Sequence, residues 1–153
     1  RVVPHELVEH GDVRIDDYYW LNRRDDPEVI AYLEAENAYT EAVMAHTEGL
    51  QETLYAAIQA YAGDAGTAII YDSHSYPYFF IDTNANGEVD EGEAVYPNAY
   101  KPWSPRLLKA AYNYQFATKD HGGFAHNGKY VIQALYDALE DLGGDVSGMT
   151  RPQ

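Results

Sequence analysis

From Asp26 to about Ala62 the apolar positions recur three or four residues apart, in a stretch of Ala, Glu, Leu and Tyr with no proline after Pro27. Ile30, Leu33, Asn37 and Met44 lie along one stripe. Val43, Leu50, Leu54, Ile58 and Tyr61 continue the step, which is the period of an amphipathic helix. Asp26 suits the N-cap, Pro27 the first helical position and Glu28 the positive end of the helix dipole. His46-Thr47-Glu48-Gly49 predicts a break into two helices, with Thr47 as the second N-cap. Ahead of this stretch, Arg1 to Asn22 mixes Gly, Pro and charge, and its only dense apolar cluster is Tyr18-Tyr19-Trp20-Leu21.

Past Gly63 and Gly66 the helical period stops. Ala68-Ile69-Ile70-Tyr71 and Tyr78-Phe79-Phe80-Ile81 are short apolar runs that read as strands, with a turn at Ser73 to Pro77 between them. A polar, acidic loop follows from Asp82 to Glu93, then a Pro-rich connector to Pro102. Ser104-Pro105 opens a third helix through Leu107, Leu108, Ala111 and Tyr114. Asp120 to Asn127 reads as a Gly-rich loop. A fourth helix, about Lys129 to Leu142, carries the stripe Val131, Leu135, Ala138 and Leu142 and stops at Gly143-Gly144. The predicted fold class is therefore mainly α: about four helices with one short extended insert that carries an EF-hand-like calcium loop.

Composition narrows the function. At 153 residues the chain is one domain, or at most two very small ones. Its 25 acidic against 10 basic side chains give a net charge of −15, which argues against nucleic acid and anionic membranes as partners. Without cysteine there are no disulfides, no thiolate zinc sites and no haem attached through C-x-x-C-H. No apolar run reaches the roughly 18 residues that span a bilayer, and no signal peptide is visible. Tyrosine is the oddity, 15 residues against 4 Phe, which points to half-wet aromatic packing.

One segment carries specific chemistry. Asp82-Thr83-Asn84-Ala85-Asn86-Gly87-Glu88-Val89-Asp90-Glu91-Gly92-Glu93 agrees with a twelve-residue calcium loop at every ligand position. Asp82, Asn84 and Asn86 stand at positions 1, 3 and 5, and Gly87 at 6 permits the sharp turn. Glu88 offers a backbone carbonyl, Asp90 binds directly or through water, and Glu93 supplies two carboxylate oxygens. Ca²⁺ takes six to eight hard oxygens, and alternate positions of a tight loop point inward. Val89, apolar at position 8, is expected to pin the loop to the core. The plainer alternative is a surface loop whose Asn, Asp and Gly simply favour turns. The flanks do not make helix–loop–helix, so a single structural ion is expected rather than a paired sensor.

Catalytic patterns are missing. Ser73, Ser75, Ser104 and Ser147 lie outside any G-x-S-x-G, and there is neither a phosphate-binding glycine loop nor H-E-x-x-H. The six histidines, at 5, 10, 46, 74, 121 and 126, form no i, i+4 pair and read first as surface or hydrogen-bonded residues. The chain is expected to be non-enzymatic.

Two family resemblances meet in the chain. Pro4-His5, then His10 to Leu21, Pro27 to Asn37 and Thr47 to Ile58 carry patterns of the form D-x-Y-x-W-L and A-Y-L-x-x-E-N. On these, residues 1–58 resemble the N-terminal segment of the prolyl oligopeptidase family, in its oligopeptidase B branch. There the segment is a helical arm that precedes the propeller and supplies no catalytic Ser, Asp or His. Residues 59–152 resemble the C-terminal tail of bacterial multihaem c-type cytochromes, on Ile69 to Pro77, Phe79-Phe80-Ile81, Trp103 to Gln115 and Gly123-Phe124-Ala125-His126-Asn127. That resemblance implies a distal haem ligand at His126, with His74 a weaker analogue. With no C-x-x-C-H, any haem is one held by a partner chain or bound noncovalently.

The expected organisation is an arm, 1–58, and a small calcium-loop module, 59–153, forming one compact unit. The join near Leu54 to Ala62, with no linker, is the mark of a chimeric, designed or fused chain. The leading expectation is an acidic domain binding one structural Ca²⁺. The alternatives are an electron-transfer accessory that donates His126 to a partner's haem and an inactive fragment of a serine oligopeptidase. The compartment follows the half that decides: periplasmic or extracellular for the cytochrome-like half, cytoplasmic for the other. A protein partner is left open.

Overall fold

The computed structural model describes residues 1–120 and 122–153, and of Phe124 the backbone alone; His121 lies outside the described residues. The chain divides into two compact units, Arg1–Ala42 and Val43–Gln153.

The first unit opens with strands β1 (His5–Glu9) and β2 (Asp12–Asp16), paired antiparallel with Val8 opposite Val13 and Glu6 opposite Ile15. The turn between them is His10-Gly11, both at positive φ, 52° and 84°, the backbone hand that suits a two-residue hairpin. Val8, Val13 and Ile15 share one face of this hairpin and are exposed. A 3-10 turn, Tyr19–Asn22, then buries Trp20. Its indole nitrogen donates to the Arg1 carbonyl at 3.2 Å, and its ring meets Tyr32 edge-on at 5.3 Å. Helix α1 (Pro27–Met44) starts where the Asp26 carboxylate accepts from the Glu28 amide at 2.9 Å. Val29 is its buried residue, whereas Ile30 and Leu33 are exposed, so the inward face lies about one residue away from the predicted stripe.

In the second unit a 3-10 turn, Ala45–Thr47, leads into α2 (Glu48–Asp64). Thr47 occupies the N-cap position without capping: its hydroxyl donates to the Met44 carbonyl at 2.7 Å and accepts from Gln51 at 2.9 Å. β3 (Ile69–Tyr71) and β4 (Phe79–Ile81) pair antiparallel, with Ile70 opposite Phe80. Helix α3 (Pro105–Lys119) begins with the Ser104 hydroxyl accepting from the Leu107 amide at 3.1 Å. Helix α4 (Gly123–Asp141) is interrupted at Asn127, at φ −170° and ψ 76°, whose side chain accepts from the Tyr130 amide and restarts the helix. The residues read as a Gly-rich loop therefore contain its first turn.

Leu54, Ile58 and Ala62 of α2 meet Leu107, Ala110 and Ala111 of α3 and Val131, Leu135, Ala138 and Leu139 of α4 in one core. Ile69 of β3 and Phe79 of β4 belong to the same core. Full burial of such aliphatic side chains is worth about 1.5–3 kcal/mol each, so three helices and the small sheet hold together through apolar contact. None of the described helices is long and apolar enough to cross a membrane.

The predicted class needs correction. Helix, the 3-10 segments included, accounts for 52% of the chain, and the described strands form two separate antiparallel sheets, so a mainly α fold with a single extended insert does not describe it. The N-terminal hairpin overturns that class: its strands lie among residues of mixed Gly and charge, and their one apolar face, Val8, Val13 and Ile15, stays exposed.

Candidate metal centre

The loop 82–93 leaves β4 at Ile81 and is clasped at both ends by one side chain. The Asn98 amide donates to the carbonyls of Ile81, at 2.8 Å, and Glu93, at 2.9 Å. Within the loop, Asp82 and Glu93 are each 5% exposed, which is unusual for carboxylates and requires partners. The Asp82 carboxylate accepts from the backbone amides of Gly87, at 2.7 Å, and Asn86, at 3.3 Å. Ala85 and Gly87 stand at φ 56° and 83°, the left-handed turns that bring those amides inward. Gln59 on α2 donates to the Gly87 carbonyl at 3.0 Å and fixes the turn to the helix.

Glu93 closes the other side. One of its oxygens accepts from the Thr83 hydroxyl at 2.5 Å and the Thr83 amide at 2.8 Å, and the second accepts from the Asp90 amide at 3.0 Å. The Thr83 hydroxyl, then the two amides, hold the Glu93 carboxyl below its ordinary range. Asn84 and Asn86 both turn their amide nitrogens to one oxygen of Asp90, at 2.7 and 2.8 Å. Their side-chain oxygens accept from the amides of Asn86 and Glu88.

Sequence spacing thus brings Asn84, Asn86 and Asp90 together, and puts Asp82 and Glu93 at the buried base of the loop. Glu88 is exposed beside them. Among the described residues, no three of the His, Asp and Glu side chains converge as a metal cluster. The donor set fits a hard cation by type, since a half-turn of the Asn84 and Asn86 amides replaces their N–H groups with oxygens. Val89 is 45% exposed and pins nothing, which corrects the role expected of it. Thr83, Gln59 and Asn98, which shape the loop, escaped the spacing argument because no ligand position falls on them.

His126 is exposed at the start of α4. Its Nδ1 lies 3.4 Å from the Asp120 carboxylate, and the ring sits over Gly122, where a Cβ would come within 2.7 Å of Cε1. His74 is more exposed still, with Nδ1 3.1 Å from the Ser73 hydroxyl and 3.4 Å from Asp72.

Comparison with known proteins supports both resemblances. Residues 1–87 match the family model described as the prolyl oligopeptidase N-terminal beta-propeller domain, and the chain belongs to this family. The match is to that N-terminal part of the peptidases and not to their catalytic domain. Protease 2 of Moraxella lacunata is 56% identical over 52 residues, 34% of this chain and 7% of that protein. Dipeptidyl aminopeptidase BI of Pseudoxanthomonas mexicana is 39% identical over 79 residues, 50% of this chain and 11% of that protein. The C-type polyheme cytochrome OmcB of Geobacter sulfurreducens is 35% identical over 115 residues, 70% of this chain. The chain spans 14% of the length of that cytochrome. The peptidase-family and cytochrome matches together exceed the chain's length, so they overlap. No solved structure matches.

Proposed function

We propose that the chain is a non-enzymatic acidic module in which the loop 82–93 holds one structural Ca²⁺. The observation that carries this reading is the convergence of Asn84 and Asn86 on Asp90, above a buried Asp82 and Glu93 that close the same loop. Calcium would link Asp82, Asn84, Asn86, Asp90 and Glu93 by side chain and Glu88 by its carbonyl. The ion supplies positive charge against three carboxylates and so holds β4 to the segment that leads into α3.

Thermal melts of the whole chain in EGTA and in about 10 mM Ca²⁺, with Mg²⁺ as control, test this. For a Kd near 10⁻³ to 10⁻⁴ M, linkage contributes roughly 1.4–2.7 kcal/mol, a rise of about 3–10 °C for a chain of this size. Glu93→Gln is expected to abolish the rise. Equal melts in EGTA and Ca²⁺, or an undiminished rise in Glu93→Gln, would remove the proposal.

A second reading rests on His126, whose Nδ1 faces Asp120 and leaves Nε2 available at a side chain that is 74% exposed. A carboxylate on one ring nitrogen orients a histidine that ligates through the other. In this reading the module donates His126 to a haem held by a partner or bound noncovalently. A Soret shift on mixing with haem, lost in His126→Ala, supports it, and a flat titration rejects it. The compartment would be periplasmic or extracellular under this relationship and cytoplasmic under the peptidase one.

A further inference from the structure

Two of the 15 tyrosines meet at the surface of the second unit. Tyr76 stands in the turn between β3 and β4, and Tyr96 opens the 3-10 turn Tyr96–Asn98 that follows the loop 82–93. Their rings lie nearly parallel, 13° apart in plane, with centres 6.3 Å apart. They are 71% and 70% exposed, so the pair is open to reagents in solution. Rotamer changes of exposed side chains take picoseconds to nanoseconds, and rings placed this close sample direct contact continually. A tyrosine of another molecule has to diffuse to the same place.

The neighbouring tyrosine contacts are less open to oxidation. Tyr55 and Tyr114 stack at 5.2 Å, but both are half-buried, and burial pushes both phenols up, Tyr114 to about 12. A phenol that keeps its proton is harder to oxidise, because the electron leaves together with that proton. The Tyr55 hydroxyl is also engaged, accepting from the Tyr71 amide at 3.0 Å. Tyr78 meets Tyr76 edge-on at 5.9 Å, and the Lys119 ammonium sits 3.3 Å from the centre of the Tyr78 ring. A cation held against the ring face opposes loss of an electron from that ring.

We propose that Tyr76 and Tyr96 are a site of oxidative modification, coupled to each other as an intramolecular dityrosine by hydrogen peroxide acting through a haem peroxidase. Each phenol gives up one hydrogen atom, and the resulting radical is shared with the ring carbons beside the C–O bond, the Cε atoms. One Cε of Tyr76 bonds to one Cε of Tyr96, and the hydrogens on those carbons move to the oxygens, which restores both phenols. The peroxide takes the two hydrogen atoms and leaves as two waters. The new bond joins the β3–β4 turn to the connector, so β4 and the loop 82–93 lie within one covalent ring of chain. The site depends on neither bound calcium nor His126.

The experiment treats the full chain, dilute and in EGTA, with a haem peroxidase and limiting hydrogen peroxide, and reads the mass of the monomer and the blue emission of dityrosine. A monomer lighter by two hydrogen atoms is expected, in a proportion that does not fall on dilution. Digestion at glutamate cuts between the two tyrosines, at Glu88, Glu91 and Glu93, and is expected to leave their peptides joined. Tyr76→Phe and Tyr96→Phe keep the ring but lack the phenolic hydrogen, and each is expected to abolish the lighter monomer. Tyr112→Phe, at a position 68% exposed, is expected to leave it unchanged. The joined chain is expected to melt roughly 6–12 °C higher, since a cross-link over this span restricts the unfolded chain. No lighter monomer, joined peptides from other tyrosines in its place, or a product that persists in Tyr96→Phe would overturn the site.

Discussion

Glu93 holds three N–H or O–H donors on its two oxygens, and each of them favours the ionised form. Its carboxyl titrates lower in the folded chain than in the unfolded one, first because of the Thr83 hydroxyl and then because of the Thr83 and Asp90 amides. A depressed folded value means that its stabilisation is fully present above the unfolded value and is lost as pH falls through the folded one. Melting temperature is therefore expected to decline as pH drops below the ordinary glutamate value of 4.5, and to decline less steeply in Glu93→Gln. Melts between pH 3 and 7, taken in EGTA, check this; parallel curves for the two proteins would show that the three donors do not matter. At this scale the grouping of Asn84, Asn86 and Asp90 in one loop was legible, because oxygen-bearing side chains recur at fixed intervals. The donors that close the loop were not, since Thr83 and Asn98 owe their positions to a folded backbone and not to spacing.

At the scale of elements, starts and stops were the clearest signals. Asp26-Pro27 opens α1 and Ser104-Pro105 opens α3, each with the capping contact its residue type provides. Gly143, at φ 86°, ends the last helix by accepting a backbone hand that other residues resist. Ser104→Ala is expected to cost about 1 kcal/mol, within 0.5–2, because it strands the Leu107 amide. Urea unfolding measures it through the midpoint at constant slope. The β1–β2 hairpin was hidden for two reasons. Its turn uses His10 where Asn or Asp gives the familiar signal, and its apolar alternation is confined to Val8 and Val13-Arg14-Ile15, too short to stand out among the surrounding charges. The break at Asn127 was equally silent, since asparagine is as common in loops as at caps.

Across the molecule, burial is unequal. The continuous core is made of residues from Leu54 to Leu139, with partly buried residues from Leu50 to Met149 around it, whereas the first unit buries only Trp20 and Val29. A small two-stranded sheet with no apolar cover is marginal in water by itself. Residues 43–153 expressed alone are expected to melt cooperatively within a few degrees of the whole chain. In the whole chain, the amides of β1 and β2 are expected to exchange with solvent well before those of α2 and α3. A fragment that fails to melt cooperatively would mean that the first unit supplies stability its burial does not reveal. The charge of −15, read from composition alone, bears on this scale too, through solubility and choice of partner rather than through fold.

The Asn86-Gly87 step adds a clock to the loop. Asparagine followed by glycine loses its amide when the next backbone nitrogen attacks the side-chain carbonyl, a reaction that needs that nitrogen free. Here the Gly87 nitrogen is held by Asp82 at 2.7 Å, and the Asn86 oxygen is engaged with the Glu88 amide at 2.8 Å. The closed loop shields the bond, and every opening exposes it, so deamidation accumulates as a chemical record of time spent open. Peptide mapping after prolonged incubation at mild alkaline pH is expected to find Asn86 converted faster in urea than in the folded chain, and slowest with calcium present. A folded chain that ages as fast as the unfolded one would mean that the loop does not stay shut.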